Sequence, residues 1–263
     1  MAINVSFAGT SIQTTNILIS DVGHDEQANK KINRLELARG DGSKITNIQL
    51  THKQISIKGR IWDTSVTGLR NRLDALKALL APQGQNLDID EGDGVVRRYV
   101  ATMDGFKATR SKIGPVAAEI EISFLVPTAF GTAVSTTTVI NNSGISASPS
   151  LFSPNFGGTV PTQTPIISLT LTTLTASAAG FDTVSIGNAI TGQIIAISRT
   201  YTNADVILID TYGQTVKVNN VDTDFMGAFP TWAPGAVASS FTYSDTFSAR
   251  AALLTLTNLN RFL

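Results

Sequence analysis

Strict alternation of apolar and polar residues over positions 116–126 constrains the fold of this chain more than any other feature. The apolar positions are Val116, Ala118, Ile120, Ile122, Phe124 and Val126, and the polar positions between them include Glu119, Glu121 and Ser123. Successive side chains of a strand point to opposite faces, so the pattern predicts a strand with one dry and one wet face. Residues 55–61 have the same period and predict a second such strand.

A helix is predicted over residues 66–81. Its apolar positions Leu69, Leu73, Leu76 and Leu80 are spaced by four, three and four residues, which places them on one helical face. Asp63, Thr64 and Ser65 offer an N-cap, and Pro82 with Gly84 ends the helix. The stripe is too short for a coiled coil and indicates a helix packed on a sheet.

A hairpin is predicted around the Asp-Gly pair of residues 91–94, with strands over 86–90 and 95–103. The second half of the chain looks all-β. Residues 167–172 and 215–219 alternate in polarity, and the apolar run 206–209 predicts a strand buried on both faces. Recurrent turn signals between short strands favour a β-sandwich or jelly roll.

The composition changes near residue 130. Residues 1–130 hold 30 of the 40 charged side chains and 10 of the 33 threonines, whereas residues 131–263 hold 10 charges and 23 threonines. The stretch 131–158, rich in Ser, Thr, Asn and Gly, predicts a connecting loop. We therefore predict a mainly β fold with one helix and two domains, 1–130 and 131–263.

Charge and composition exclude several classes of function. The 20 basic and 20 acidic residues cancel, which argues against a dedicated nucleic-acid binder. The absence of Cys removes thiolate nucleophiles and Cys-based zinc sites. The start of the chain does not resemble a signal peptide, and no apolar stretch has the length of a membrane span.

The search for catalytic and metal sites yields no candidate. His24 and His52 lie in polar sequence, and no nucleophile elbow, zinc motif or phosphate loop is present. Residues 88–94 resemble the start of a calcium loop, but Gly92, Asp93 and Tyr99 stand where an EF-hand needs an oxygen ligand, Gly and Glu. A glycosidase carboxylate pair in the same segment has no support. We predict no catalytic, cofactor-binding or metal residues, no cofactor and no enzyme activity.

Two aromatic features have a functional and a structural interpretation. Arg97, Arg98 and Tyr99 form a basic-aromatic cluster, which we interpret as a solvated or interface strand because it adjoins an acidic turn. Trp62 and Trp232 could stack on sugar rings, but core packing is the favoured interpretation for both.

The order of the segments resembles the distal tail protein (Dit) family of long-tailed siphophages. In the first half the resemblance rests on residues 37–42, the strand 55–61, the leucine helix, the 87–90 hairpin strand and residues 120–127. In the second half it rests on residues 190–193, 205–211, 216–220 and the Phe-Pro-x-x-x-Pro-Gly segment within 227–235. The resemblance implies a ring-forming N-terminal β-sandwich or α+β domain and a galectin-like C-terminal β-sandwich.

The resemblance also implies a function. Such proteins are structural hubs of the virion tail tip, assembled in the host cytoplasm as homohexameric rings through which DNA passes without specific binding. The implied partners are the tail tube protein and a tail-tip or fibre protein, with the tape measure and receptor-binding proteins as further ones, and no membrane is entered. We expect the first half to close the ring through exposed edges of strands 55–62 and 116–126. The alternatives are a carbohydrate-binding adhesin module and a tail tube subunit.

Overall fold

The computed structural model describes residues 3–23, 30–36, 43–110, 116–177 and 180–262. The chain divides into two compact units. The first comprises residues 1–134 together with 262–263, and the second comprises residues 135–261. In the described residues the fold is mainly β with a single helix, as the alternating sequence patterns predict. The assignment of the units as ring-forming and galectin-like domains stays a prediction.

The first unit contains one large set of paired strands, a separate strand pair and the helix. Its elements are β1 (Asn4–Phe7), β2 (Thr10–Ser11), β3 (Ile17–Gly23), β4 (Lys30–Glu36), β5 (Ser43–Leu50), β6 (Lys53–Trp62), α1 (Val66–Leu80), β7 (Gln85–Asp90), β8 (Val96–Arg110), β9 (Ala117–Val126) and β10 (Gly131–Ala133). The strand order is β2-β1-β7-β8-β9-β6-β3, and β4 and β5 form a separate antiparallel pair. The predicted hairpin is confirmed, because β7 and β8 pair antiparallel.

Strand β8 joins two halves of this sheet. The first part of its 15 residues pairs with β7, and the part from Thr102 to Arg110 pairs with β9. Buried side chains of both halves meet in one core, where the rings of Phe7 and Phe124 lie 5.3 Å apart. The long strand therefore lets one core serve both halves of the sheet.

The helix covers this core with its leucine stripe. Leu69, Leu73, Leu76 and Leu80 are all buried, as the four-three-four spacing predicts. Ser65 is the N-cap, and its hydroxyl accepts a hydrogen bond from the backbone N–H of Gly68 at 2.9 Å. The predicted helix is confirmed, and it ends one residue earlier than expected.

The second unit is a β-sandwich. Its elements are β11 (Thr137–Ile145), β12 (Ser150–Phe152), β13 (Asn155–Phe156), β14 (Ile166–Thr175), β15 (Asp182–Asn188), β16 (Ile194–Arg199), β17 (Val206–Asp210), β18 (Thr215–Val218), β19 (Val221–Asp222), β20 (Met226–Gly227), β21 (Gly235–Ala236), β22 (Phe241–Asp245) and β23 (Ala249–Asn258). Strand β24 (Arg261–Phe262) follows at the end of the chain. One sheet has the order β11-β23-β14-β17-β18-β19, and the other has the order β12-β22-β15-β16-β20.

Two sequence expectations about the second unit are wrong. The stretch 131–158 is not a loop, because β11 runs through it and pairs with β23 over two register irregularities. Its threonines fit a pleated strand as well as they fit a turn. Strand β17 is not buried on both faces, since Ile207 and Ile209 face the core whereas Val206 is 37% exposed. Its sheet has one face on the sandwich core, and the other face is at least partly open to solvent.

In the described residues no helix combines the length and the apolar character that a membrane crossing requires.

Candidate functional site

The described residues of the first unit present a four-stranded sheet with two free edges. In the order β8-β9-β6-β3, both β6 and β9 have neighbours on each side, so the expectation that their edges are exposed is wrong. Within the described part, β3 pairs only with β6, and beyond Met103 strand β8 pairs only with β9. The free edges therefore lie at opposite ends of the sheet, on β3 and on the second part of β8.

One face of this sheet packs on the core, and the other carries a row of alternating charge. The register places Lys107 opposite Glu121, Glu121 opposite Lys58, and Lys58 opposite Asp21. All four side chains are exposed. A β-bulge at Ser20 brings Asp21 to this face, because both Ser20 and Asp21 then point to solvent between the buried Ile19 and Val22.

A second row crosses the same face one step further along. It consists of Thr109, Glu119 and Arg60, followed by Leu18 on β3. The two rows together contain three acidic and three basic side chains, so the face has no net charge. Between the rows lies a shallow hollow of about 390 Å³. We name these two rows the charged face.

Sequence reasoning did not identify the charged face. Alternation shows that Lys58, Arg60, Glu119 and Glu121 lie on the wet side of their strands. It does not give the strand order or the register, and the bulge that adds Asp21 has no marker in the sequence. The only signal in the sequence is the period-2 pattern of charges in residues 58–60 and 119–121, which by itself indicates no more than a solvated surface.

The carboxylates of the 85–103 hairpin already have protein partners. Asp88 accepts two hydrogen bonds from Arg98, both at 2.7 Å, which raises the pKa of that guanidinium. Asp90 accepts the backbone N–H of Gly92 at 2.8 Å. Asp93 accepts Arg97 at 2.8 Å, and this hydrogen bond lowers the pKa of the Asp93 carboxyl. These contacts form the hairpin turn and its flanking strand rather than a calcium or glycosidase site.

The other sequence candidates do not converge on a site. Arg97 lies over the ring of Phe262 at 5.4 Å, within the first unit, and Tyr99 is buried in the core. His52 is exposed, and Trp62 is half-buried. His24 and residues 37–42 lie outside the described residues. Over the described ranges, no group of three His, Cys, Asp or Glu side chains could hold a metal ion.

In the second unit, the side-chain amides of Asn188 and Gln193 form hydrogen bonds with the segment that carries the Phe-Pro-x-x-x-Pro-Gly pattern. Buried Asn188 donates from Nδ2 to the carbonyl of Thr231 at 2.6 Å, and its Oδ1 accepts the N–H of Ile190 at 2.8 Å. Gln193 Oε1 accepts the N–H of Thr231 at 3.0 Å. The residues 190–193 and 227–235, which carry the family resemblance, are therefore coupled to each other by hydrogen bonds.

Trp232 anchors this segment in the core. Its ring is 2% exposed and lies 5.7 Å from the rings of both Phe156 and Phe241. The interpretation of Trp232 as a core residue is confirmed, and in this position it cannot stack on a sugar.

A second link joins Asp205 to Asn219, whose Nδ2 donates to the carboxylate at 2.8 Å. Burial raises the pKa of Asp205, but the hydrogen bonds from Thr202 and Asn219 outweigh it and lower the pKa overall.

The outer face of the β12-β22-β15-β16-β20 sheet is uncharged in its centre. The register brings Leu151, Thr242, Gly187 and Ile194 into one row. Leu151 is 57% exposed, and Met226, opposite Ala196, is 74% exposed. Exposed apolar side chains on a flat surface without charges are typical of contacts with another protein.

The chain is similar in structure to the Dit protein of phage SPP1, which is described as a paradigm of the hub adsorption apparatus in phages that infect Gram-positive bacteria. The TM-score is 0.65 at 14% identity, and 100% of each chain is covered. The baseplate of phage P2 in its activated conformation is more distant. Its calcium form gives a TM-score of 0.41 at 10% identity over 100% of each chain, and its strontium form gives 0.40 at 11% over 99% of each.

The two P2 similarities carry no argument of their own. No family model matches the chain, and no curated protein matches its sequence. The likeness to the SPP1 protein extends over both units and shows a shared fold.

Proposed function

We propose, from a Dit-like fold that spans the whole chain, that this protein is the structural hub at the tip of a siphophage tail. The observation that carries the proposal is the fold shared with the SPP1 hub protein from one end of the chain to the other. The order of the sequence segments supports it independently. The proposed role is assembly rather than catalysis, which agrees with hairpin carboxylates that are all engaged within the protein.

The proposed assembly is a closed ring of six copies. A sheet with free edges at opposite ends can pair with the next copy on each side, and such head-to-tail contacts either close into a ring or grow into a filament. Strand β3 of one copy would pair with the second part of β8 in the next. Six four-stranded sheets then give 24 strands, and at a spacing of ~4.8 Å and a tilt of ~40° the backbone circle is about 48 Å across.

The ring would enclose a channel lined by the charged face. The opposite face of each sheet is covered by α1 and the rest of the first unit, and this bulk fits only on the outside of the circle. Barrels of 16–18 strands already leave an aqueous channel, so 24 strands leave a wider one. The channel would let DNA pass during ejection. The tail tube protein would stack on one end of the ring, and a tail-tip or fibre protein would dock on the other.

The second unit is the proposed contact for tip components. Its outer face with Leu151, Ile194 and Met226 fits a protein surface better than a saccharide, because the row Leu151, Thr242, Gly187 and Ile194 contains neither an aromatic ring nor a charged side chain. A carbohydrate-binding adhesin would be the better description if the purified chain stayed monomeric and bound sugars. A tail tube subunit would form open-ended tubes.

The test is the assembly state of the purified full chain. Light scattering and negative-stain imaging are expected to show six copies in a ring. A chain that stays monomeric near millimolar concentration, or one that forms long tubes, would contradict the hub proposal.

Proline variants test the proposed edge. Of two adjacent residues in a strand, one directs its N–H to β9 and the other directs it to the free edge. We therefore expect one of Ala108→Pro and Thr109→Pro to fold normally by circular dichroism and to remain monomeric. Thr109→Ala keeps the N–H and should form the ring. If every folded variant still forms rings, the contact lies elsewhere.

A further inference from the structure

We propose that Asp21, Glu119 and Glu121 act as counter-charges that prevent the cations of the charged face from binding the phosphates of passing DNA. This inference rests on the proposed function, because it assigns a role to the face that would line the channel. Beyond a passive channel, it gives three carboxylates an active role, because they keep the protein from binding DNA.

The register supplies the geometry of the counter-charges. Glu121 lies between Lys58 and Lys107 on its two neighbouring strands, and Asp21 flanks Lys58 from the other side. Directly opposite residues of antiparallel strands have Cβ atoms about 5 Å apart, so these opposite charges are close neighbours on the face. Each lysine therefore has at least one carboxylate directly opposite it on a neighbouring strand.

Arg60 is balanced in the same way. Glu119 stands opposite Arg60 on β9, and Thr109 completes the row without adding a charge. Arginine can bind phosphate with two parallel hydrogen bonds, so it is the cation of this face that most needs a competing carboxylate. Within the two rows the acidic side chains thus match the basic ones in number.

The remaining surface of the face favours sliding contact over protein docking. The next row along the sheet consists of Gly105, Ser123, Ser56 and Gly23, which have small side chains or none, and the β-bulge beside Gly105 adds the exposed carboxylate of Asp104. A protein interface needs buried apolar or aromatic anchors near its centre, and the centre of this face has only charges and hydroxyls. In the proposed ring this surface faces the DNA, as a duplex that passes and does not stay.

The experiment measures binding of the full-length protein to a fluorescent linear 30-bp duplex by anisotropy at 50–200 mM salt. The wild type is expected to show no measurable binding. Asp21→Asn/Glu119→Gln/Glu121→Gln leaves three cations unopposed and is expected to bind. If one chain contacts the duplex through three phosphates, the affinity should fall roughly 40-fold between 50 and 200 mM salt, and it should fall more steeply if several chains of the ring contact it.

Two further variants identify the binding surface. Asp74→Asn/Asp222→Asn/Asp224→Asn has the same change in net charge away from the charged face and should bind no better than the wild type. Addition of Lys58→Gln and Lys107→Gln to the first triple variant should abolish most of its binding.

The inference is overturned if the first triple variant binds DNA no more tightly than the control triple variant, or if the wild type already binds. If the wild type forms no ring, the proposed function fails. The DNA measurements on the single chain still decide the role of the carboxylates.

Discussion

Substitution of Gly227 tests whether a positive φ angle at this residue is needed to hold the segment 227–235 in place. Gly227 has φ +105°, and a Cβ atom built there would lie 2.0 Å from the carbonyl oxygen of Ile194. Gly227→Ala therefore combines a conformational cost of about 1–3 kcal/mol with displacement of β20. Displacement would break the hydrogen bond of 3.0 Å from the Ala228 N–H to the Ile194 carbonyl, which contributes about 1 kcal/mol. We expect the second unit to lose about 2–4 kcal/mol.

The assay uses the distribution of the two tryptophans, Trp62 in the first unit and Trp232 in the second. In a Trp62→Phe background, fluorescence during urea denaturation reports only the second unit. A loss of this size moves the midpoint by about 1 M or more.

Gly144→Ala is the matched control for Gly227→Ala. It adds a methyl group in β11, where nothing lies within 4 Å, and should change the free energy of unfolding by less than about 0.5 kcal/mol. If the two alanine variants unfold at the same urea concentration, the reasoning about Gly227 is wrong.

Three further perturbations have defined outcomes. Burial raises the pKa of Asp182, but hydrogen bonds from Ser177 and Thr246 outweigh it and lower the pKa overall, and Asp205 behaves alike. In the unfolded chain these carboxyls have a higher pKa and bind protons at a higher pH than in the folded protein. Their contribution to stability is therefore complete above about pH 4, and it is lost as the pH falls through their lowered pKa in the folded protein. Urea midpoints measured from pH 5 to pH 2 should therefore fall less steeply in Asp182→Asn/Asp205→Asn. Asp88→Asn should lower the free energy of unfolding of the first unit by about 1 kcal/mol, because it removes the charged partner of Arg98. Leu69→Ala should lower it by about 2–5 kcal/mol, because it leaves a cavity under the helix. Urea denaturation measures both losses.

Exposed residues of the same types supply the controls. Asp74→Asn removes a side chain that is 67% exposed and 3.7 Å from Lys77, and Leu259→Ala truncates a leucine that is 38% exposed. Both should stay within about 0.5 kcal/mol of the wild type. An unchanged pH profile in the Asp182/Asp205 double variant would contradict the assignment of these two carboxyls.

The elements with a regular period could be predicted from the sequence. The alternation of residues 117–126 and the leucine spacing of α1 are local properties, and the structure has both elements at the expected places. Burial of β17 was predicted wrongly, because an apolar run does not tell whether a second layer covers its outer side. The stretch 131–158 was also predicted wrongly, since threonine is common both in turns and in strands.

The charged face could not be predicted, because it depends on which strands are neighbours. Lys58 and Lys107 are far apart in the sequence and become part of one row only through Glu121 on the strand between them. Asp21 joins that row through the bulge at Ser20. Local patterns indicate which side chains face solvent, and only long-range pairing decides which charges become neighbours.

The path of the chain has a mechanical consequence. The polypeptide leaves the first unit after Val134, and only residues 262–263 belong to that unit again, so one peptide connection joins the body of the first unit to the second. Strand β10, which precedes this connection, pairs with β24, which contains Phe262. Tension applied to the second unit is therefore carried by one covalent connection and by the hydrogen bonds between two short strands. A single proteolytic cut after Val134 would leave that strand pairing alone to hold the two units together.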